Sequence, residues 1–269
     1  MPHNQWRLTV VADLTGKVIL VTGGGSGIGA GIAKVVAEHG AQVVITDIRL
    51  EAAESIATEI TSAGGLALGL QHDVTSGDSS RGVVADATKR FGRVDGLVNN
   101  AGISNRVPFN EMDEDEWNRV INVNLNGVFH TTRAVVDQMI ERRSGRIVSN
   151  ASFVGLRGIP LFSHYCASKF GVMGLTQSLA VELAPYDITV NAVLPGVVRT
   201  PLWEPMLDKA AAAGGITREE AWAGAIAPIP LGRPQEPDDI GEAVAFLLSD
   251  KARNITGASM NVTGGQLLH

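Results

Sequence analysis

Residues 18–29 read VILVTGGGSGIG, an apolar and mostly β-branched run that passes straight into glycines and then into a segment of helical character. A strand so uniformly apolar is buried on both faces, which calls for a parallel sheet covered by helices on either side. The glycines shape the junction. Without a Cβ they adopt positive φ and let the backbone approach a ligand, and the helix behind them presents free N–H groups and a positive dipole end to a phosphate. Gly23, Gly27 and Gly29 fit the spacing GxxxGxG, while Gly25, Gly27 and Ala30 satisfy the looser GxGxx[G/A]; Ser26 and Ile28 fill the turn between them. Such a turn gains meaning from an acidic residue closing the next strand. Asp47 closes QVVITD, where a carboxylate accepts hydrogen bonds from both hydroxyls of an adenosine ribose. Capping the following helix is the competing role for Asp47.

The same alternation continues along the chain. Strand-like runs at Lys17–Val21, Gln42–Thr46, Leu66–Leu70, Asp95–Asn99, Gly145–Ser149, Ile188–Val193 and Ala258–Val262 are separated by helical stretches. These span Ile28–His39, Leu50–Ala63, Asp78–Phe91, Asp113–Ile140, Ser163–Ala184 and Pro237–Ser249. The fold class expected is α/β: a single-domain, Rossmann-like, doubly wound parallel seven-stranded sheet with helices on both faces. Residues 1–13 read as an N-terminal extension and 14–269 as one dinucleotide-binding and catalytic domain. From 201 to 234 the rhythm breaks into Pro, Gly and an alanine run with Trp203 and Trp222, a span long enough to form a lid over a substrate, or else a surface helical insertion.

Composition narrows the function classes. A formal net charge of −6 provides no broad basic field for nucleic acid or an anionic membrane. Cys166 is the single cysteine and has no partner for an internal disulfide, the N-terminal segment lacks an apolar signal core, and no apolar run reaches membrane-spanning length. A cytoplasmic location is the expectation. The six histidines are scattered without ligand spacing, so no metal site is expected.

Tyr165 and Lys169 stand at i and i+4 in SHYCASKFG and share one helix face. A phenol ionises near pH ~10, too high for a base at neutrality, and a nearby ammonium and an oxidised nicotinamide would both favour the phenolate. Ser152, thirteen residues before Tyr165, follows a buried strand and so falls at the strand ends where open α/β sheets bind ligands. Its hydroxyl is placed to hydrogen-bond a reacting oxygen while Tyr165 gives or takes a proton. On its own, YxxxK also describes an ordinary solvated helix face.

Taken together, the motifs TGGGSGIG (22–29), HDV (72–74), NNAG (99–102), INVNLNGVF (121–129), Ser152, YCASK (165–169) and LPGVVRT (194–200) resemble those of the short-chain dehydrogenase/reductase family, from Leu14 to about Leu267. The resemblance implies an oxidoreductase with Asn124, Ser152, Tyr165 and Lys169 as the catalytic set. It further implies that Asp73 and Val74 contact adenine, that Asn100 and Gly102 support the central strand beside the cofactor, and that Pro195, Val198 and Thr200 hold the nicotinamide. Asn124 is given a water linking Lys169 to solvent, although the residues alone leave it equally a cap or a core hydrogen bond. Lys169 is given the nicotinamide ribose. A homotetramer is implied, with the two long helices forming one interface.

Asp47 and Ser26 point to NAD as the cofactor. Arg49 is the contrary signal, in favour of NADPH and of a 3-oxoacyl-carrier-protein reductase; a catalytically silent dinucleotide sensor is the reading from another class. The pocket walls expected are Ser104–Phe109, Phe153–His164 and 201–234, a composition that suits a small neutral alcohol, polyol or ketone, with Arg106, Arg157 and Arg199 leaving an anionic group open. Cys166 reads as a helix-packing residue and His164 as a solvated one. Thr263 and Asp187 depart from the family pattern, where aspartate and glycine are usual.

Overall fold

The computed structural model describes residues 12–201 and 203–268. Most of the N-terminal extension, residues 1–11, lies outside the described residues, as does His269; Ala12 packs into the core beside Leu14. Seven parallel strands form one sheet in the order β3-β2-β1-β4-β5-β6-β7. They are β1 (Val18–Thr22), β2 (Gln42–Asp47), β3 (Leu66–Gln71), β4 (Gly96–Asn99), β5 (Gly145–Asn150), β6 (Ile188–Pro195) and β7 (Ser259–Val262).

The period-two geometry of a strand divides the core into two layers. Ile19 and Val21 of β1 face a layer built from α1 (Gly27–Glu38), α2 (Leu50–Ser62) and α9 (Pro237–Leu248). Val18 and Leu20 face the opposite layer, from α3 (Gly77–Phe91), α5 (Gly127–Arg142) and α6 (Ser163–Leu183). Because the chain winds outward from β1 in one direction and from β4 in the other, the carboxyl ends of these two neighbours flank a crevice, the position where open α/β sheets take their ligands.

One expectation needs correction. The stretch Asp113–Ile140 is not a uniform α-helix: α4 (Glu114–Ile121) runs through a π-helical turn at Asn122–Asn126 before continuing as α5. The widened turn coincides with Asn124, whose side chain bonds to Ile103 and Ser168. Gly127 then lets the helix lie against the β3–α3 loop, since a Cβ there would stand 2.8 Å from Val74 Cγ2. Turns of this kind recur at functional sites.

Between β6 and α9, the segment expected as a lid contains α7 (Trp203–Gly214) and α8 (Arg218–Ile226). They are joined by an edge-to-face pair of Trp203 and Trp222, with ring centres 5.6 Å apart, and Thr217 caps α8 reciprocally with Glu220. Asp187, where glycine is usual in the family, does adopt a left-handed conformation at φ 56°, which aspartate tolerates better than most side chains.

Candidate functional site

Gly23 and Gly27 have φ values of 60° and 55°, which a side chain would strain. Gly29 lies against Gly23 O and Asn100 Nδ2 with no room for a Cβ. Ser26 is the extended residue preceding α1, and its side chain makes no capping bond. The turn therefore presents backbone and one uncommitted hydroxyl at a helix N-terminus, with Ile28 packed behind it against the core. At the end of β2, Asp47 Oδ2 accepts from Gly25 N at 3.1 Å and Oδ1 from Arg49 N at 3.1 Å. It is Arg49, not Asp47, that occupies the cap position of α2, and the Asp47 carboxylate bridges the glycine turn and that cap residue.

The opposite wall comes from β4 and β5. Asn100 Nδ2 donates to Thr22 O at 2.9 Å and Gly23 O at 3.0 Å, while Asn150 Nδ2 donates to Asn100 Oδ1 at 2.8 Å. Lys169 Nζ in turn donates to the main-chain oxygen of Asn150 at 2.8 Å. A continuous hydrogen-bonded line thus connects the glycine turn with the lysine. Asn150 went unrecognised as a site residue because the strand was expected to end at Ser149; β5 runs one residue further and turns this side chain inward. Gly25, which holds Asp47, was visible only as part of a looser glycine pattern.

Ser152 follows β5 at the start of a single 3-10 turn, buried, with Oγ accepting from Val154 N at 3.4 Å. α6 presents Tyr165 and Lys169 on one face, the ammonium 5.6 Å from the centre of the phenol ring. Burial pushes the Tyr165 hydroxyl up to about 12, against the opposing pull of the Ser152 hydroxyl. Burial likewise lowers Lys169 to about 8. Asn124 is 1% exposed; its Oδ1 accepts from Ile103 N at 2.8 Å and its Nδ2 donates to Ile103 O at 2.9 Å and Ser168 Oγ at 3.1 Å. Gly102 lies between, with Asn124 Oδ1 and Lys169 Nζ both within 4 Å of where its Cβ would be.

The remaining expected residues line the same edge. Asp73 Oδ1 accepts from Thr75 N and Oγ1, and Val74 is buried against Gly127. Pro195 ends β6; Val198, buried, bridges to Gln235; and the Thr200 side chain lies beside Gly27. His164 is a correction. It is fully buried, not solvated, because α6 turns it toward α4, where Nε2 meets Glu116 Oε1 at 3.3 Å. Cys166 is buried, as a packing residue should be. A cavity of about 600 Å³ at the end of β7, among Leu231, Arg233, Asn261 and Leu267, is lined by Gln235 but by none of the expected site residues.

Residues 17–211 match the family model described as short chain dehydrogenase. The chain belongs to the short-chain dehydrogenase/reductase family. Among the similar short-chain dehydrogenases is a 3-oxoacyl-[acyl-carrier-protein] reductase from Thermotoga maritima, 40% identical over 255 residues, which cover 95% of this chain and 99% of that protein. A 2-(S)-hydroxypropyl-CoM dehydrogenase from Xanthobacter autotrophicus is 38% identical, over 94% of this chain and 97% of the other. The crystal structure of a short-chain dehydrogenase/reductase from Mycobacterium marinum superimposes with a TM-score of 0.87 at 37% identity, over 96% and 98% of the two chains. Members of the family are oxidoreductases that bind a nicotinamide dinucleotide.

Proposed function

We propose that this protein moves a hydride between NAD(H) and a secondary alcohol or polyol, or the matching ketone, with Tyr165 as general acid and base. The observation that carries the reading is the grouping of Ser152, Tyr165 and Lys169 at the carboxyl edge of the sheet, tied through Asn150 and Asn100 to the glycine turn. The residues present fit a dinucleotide: Gly23, Gly27, Gly29 and Ser26 would hold its phosphates, Asp47 its adenosine ribose, Asp73 and Val74 its adenine. Asn100, Gly102, Pro195, Val198 and Thr200 would flank the nicotinamide end. When bound, the cofactor supplies the hydride acceptor or donor.

The protein's own groups manage the proton. In oxidation, Tyr165 takes the proton of the substrate hydroxyl as the C–H bond gives up its electron pair; in reduction it returns that proton to the carbonyl oxygen. Ser152 hydrogen-bonds the reacting oxygen and steadies the charge that develops there. Lys169, cationic near neutrality, favours the phenolate by proximity and is placed to hold the nicotinamide ribose. Asn124 fixes the Ile103 backbone and Ser168, and we assign it the anchoring of a water that carries protons from Lys169 outward.

NAD is favoured over NADP by Asp47, because a 2′-phosphate would have to share the space beneath Gly25 with a carboxylate. A second reading, a reductase of 3-oxoacyl thioesters using NADPH, is favoured by the names of several relatives and by Arg49 beside Asp47. Comparing kcat/KM for NAD and NADP on the purified enzyme separates the two: a strong NAD preference supports the first reading, and comparable values or an NADP preference the second. We extend the proposal to a cytoplasmic homotetramer. Its supports are a buried free thiol as the lone cysteine and the exposed apolar side chains on α5 and α6, Phe129, Phe170 and Val181.

A further inference from the structure

We propose, on the basis of the dehydrogenase reading above, that the substrate carries a carboxylate at the end remote from its reacting carbon, and that Arg106 and Lys209 hold it. The loop after β4 is stitched to the segment before α6 by a 3.0 Å bond from Val107 N to Leu161 O. This places the Arg106 guanidinium 5.5 Å from the centre of the Phe162 ring, which itself lies 6.0 Å from that of Tyr165. Arg106 therefore stands one aromatic ring away from the proton-transferring phenol. Lys209 arrives from α7: Nζ donates to Asn105 Oδ1 at 3.1 Å, the same oxygen that accepts from Arg106 N at 2.9 Å, so both cationic residues are tied to one amide.

The acidic residues that would ordinarily neutralise such cations are engaged elsewhere. Glu204 and Asp208, on α7 with Lys209, both pair with Arg218 of α8, Asp208 at 3.2 Å. Among the described residues no carboxylate forms an ion pair with Arg106, Lys209, Arg157 or Arg199, the last of which stacks on Trp222 at 5.5 Å. In a protein of net charge −6, whose long-range field repels anions, two exposed cationic residues tied to one asparagine, and free of ion pairs among the described residues, create the local field that admits one. Arginine adds the planar donor fork that suits a carboxylate. The apolar walls alone suggest a neutral substrate; the placement of Lys209 and the capture of the lid's carboxylates by Arg218 tip the choice to an anion.

The test uses the full-length enzyme with NADH and methyl ketones bearing a terminal carboxylate at increasing chain length, each against its methyl ester. The expected result is a kcat/KM for the best carboxylate about tenfold or more above its ester. In the Arg106→Gln, Lys209→Gln double variant this ratio should fall to near one. Glutamine at 209 retains a donor for Asn105, so the loss of preference reports charge and not the contact between lid and loop. Turnover of esters and carboxylates alike, with a ratio the double variant does not change, overturns the carboxylate proposal and leaves the dehydrogenase reading standing. If no ketone is turned over, the dehydrogenase reading fails, and thermal shift of the NADH complex decides the subsite. Stabilisation by carboxylates but not esters, abolished in the double variant, supports it; equal or absent stabilisation overturns it.

Discussion

Lys169 Nζ is bonded at 2.8 Å to the main-chain oxygen of Asn150, the residue whose side chain reaches Asn100 and, through it, the carbonyls of the glycine turn. The lysine beside the Tyr165 phenol and the glycine turn therefore share one hydrogen-bonded line. Asn150 Oδ1 is buried without a partner, a cost that an apolar side chain would not carry, which argues that the amide is retained for its donor.

Replacing Asn150 with Leu should leave the melting temperature nearly unchanged while weakening NADH binding about fivefold, the loss of roughly one hydrogen bond. Fluorescence titration of NADH measures the affinity. The same substitution on an Asn100→Ala background should add little, because both act through one line. A lowered melting temperature with unaltered affinity would reduce Asn150 to a structural role.

Lys169 makes stability depend on pH in a defined direction. Its folded value of about 8 lies below its ordinary 10.5, so between the two the unfolded chain holds a proton that the folded chain has released. Stability should rise with pH from about 8 and be free of this slope below it. Tyr165 acts oppositely only from 10.0 to about 12. Urea unfolding between the onset of the lysine window and that of the tyrosine window should show the rise in wild type and its absence in Lys169→Met. Parallel curves would exclude a depressed lysine.

Assembly through α6 is testable at two exposed positions. Val181 is 79% exposed and Phe170 48%, and eleven residues of α-helix bring them back to one face. The double substitution Phe170→Asp, Val181→Glu should convert a tetramer into smaller species in light scattering. A wild-type monomer at micromolar concentration would contradict the assembly outright.

The layered sheet was readable because its signals are local. Strands such as VILVT and ITVNAVLP are rich in β-branched residues and buried along their whole length, and the glycine turn, Asp47 and the YxxxK pair each carry their chemistry within a few residues. What escaped depended on distant partners. Nothing in INVNLNGVF announces a π-helical turn, which becomes visible only with the backbone of Ile103 bonded to Asn124. Asn150 stood one residue past the expected strand end, and His164 looked solvated until α4 supplied Glu116. The bond from Lys209 to Asn105 likewise depends on α7 folding back toward the loop after β4.

For cofactor choice, Asp47→Ser should relax the NAD preference mainly through a lower KM for NADP. The 2′-phosphate no longer faces a carboxylate, a like-charge contact that costs several kcal/mol, so even about 3 kcal/mol corresponds to roughly a hundredfold preference. Steady-state kinetics with both cofactors reads the change. An unaltered preference would mean that Asp47 does not face the ribose.

The claim that Tyr165 transfers the proton is tested most directly by Tyr165→Phe, with turnover and NADH affinity measured on the same preparation. Only the phenolic oxygen is lost, so kcat should fall by several orders of magnitude while the NADH dissociation constant stays within about twofold of wild type. Retention of a tenth or more of wild-type kcat would contradict the account and move the acid–base role to another group.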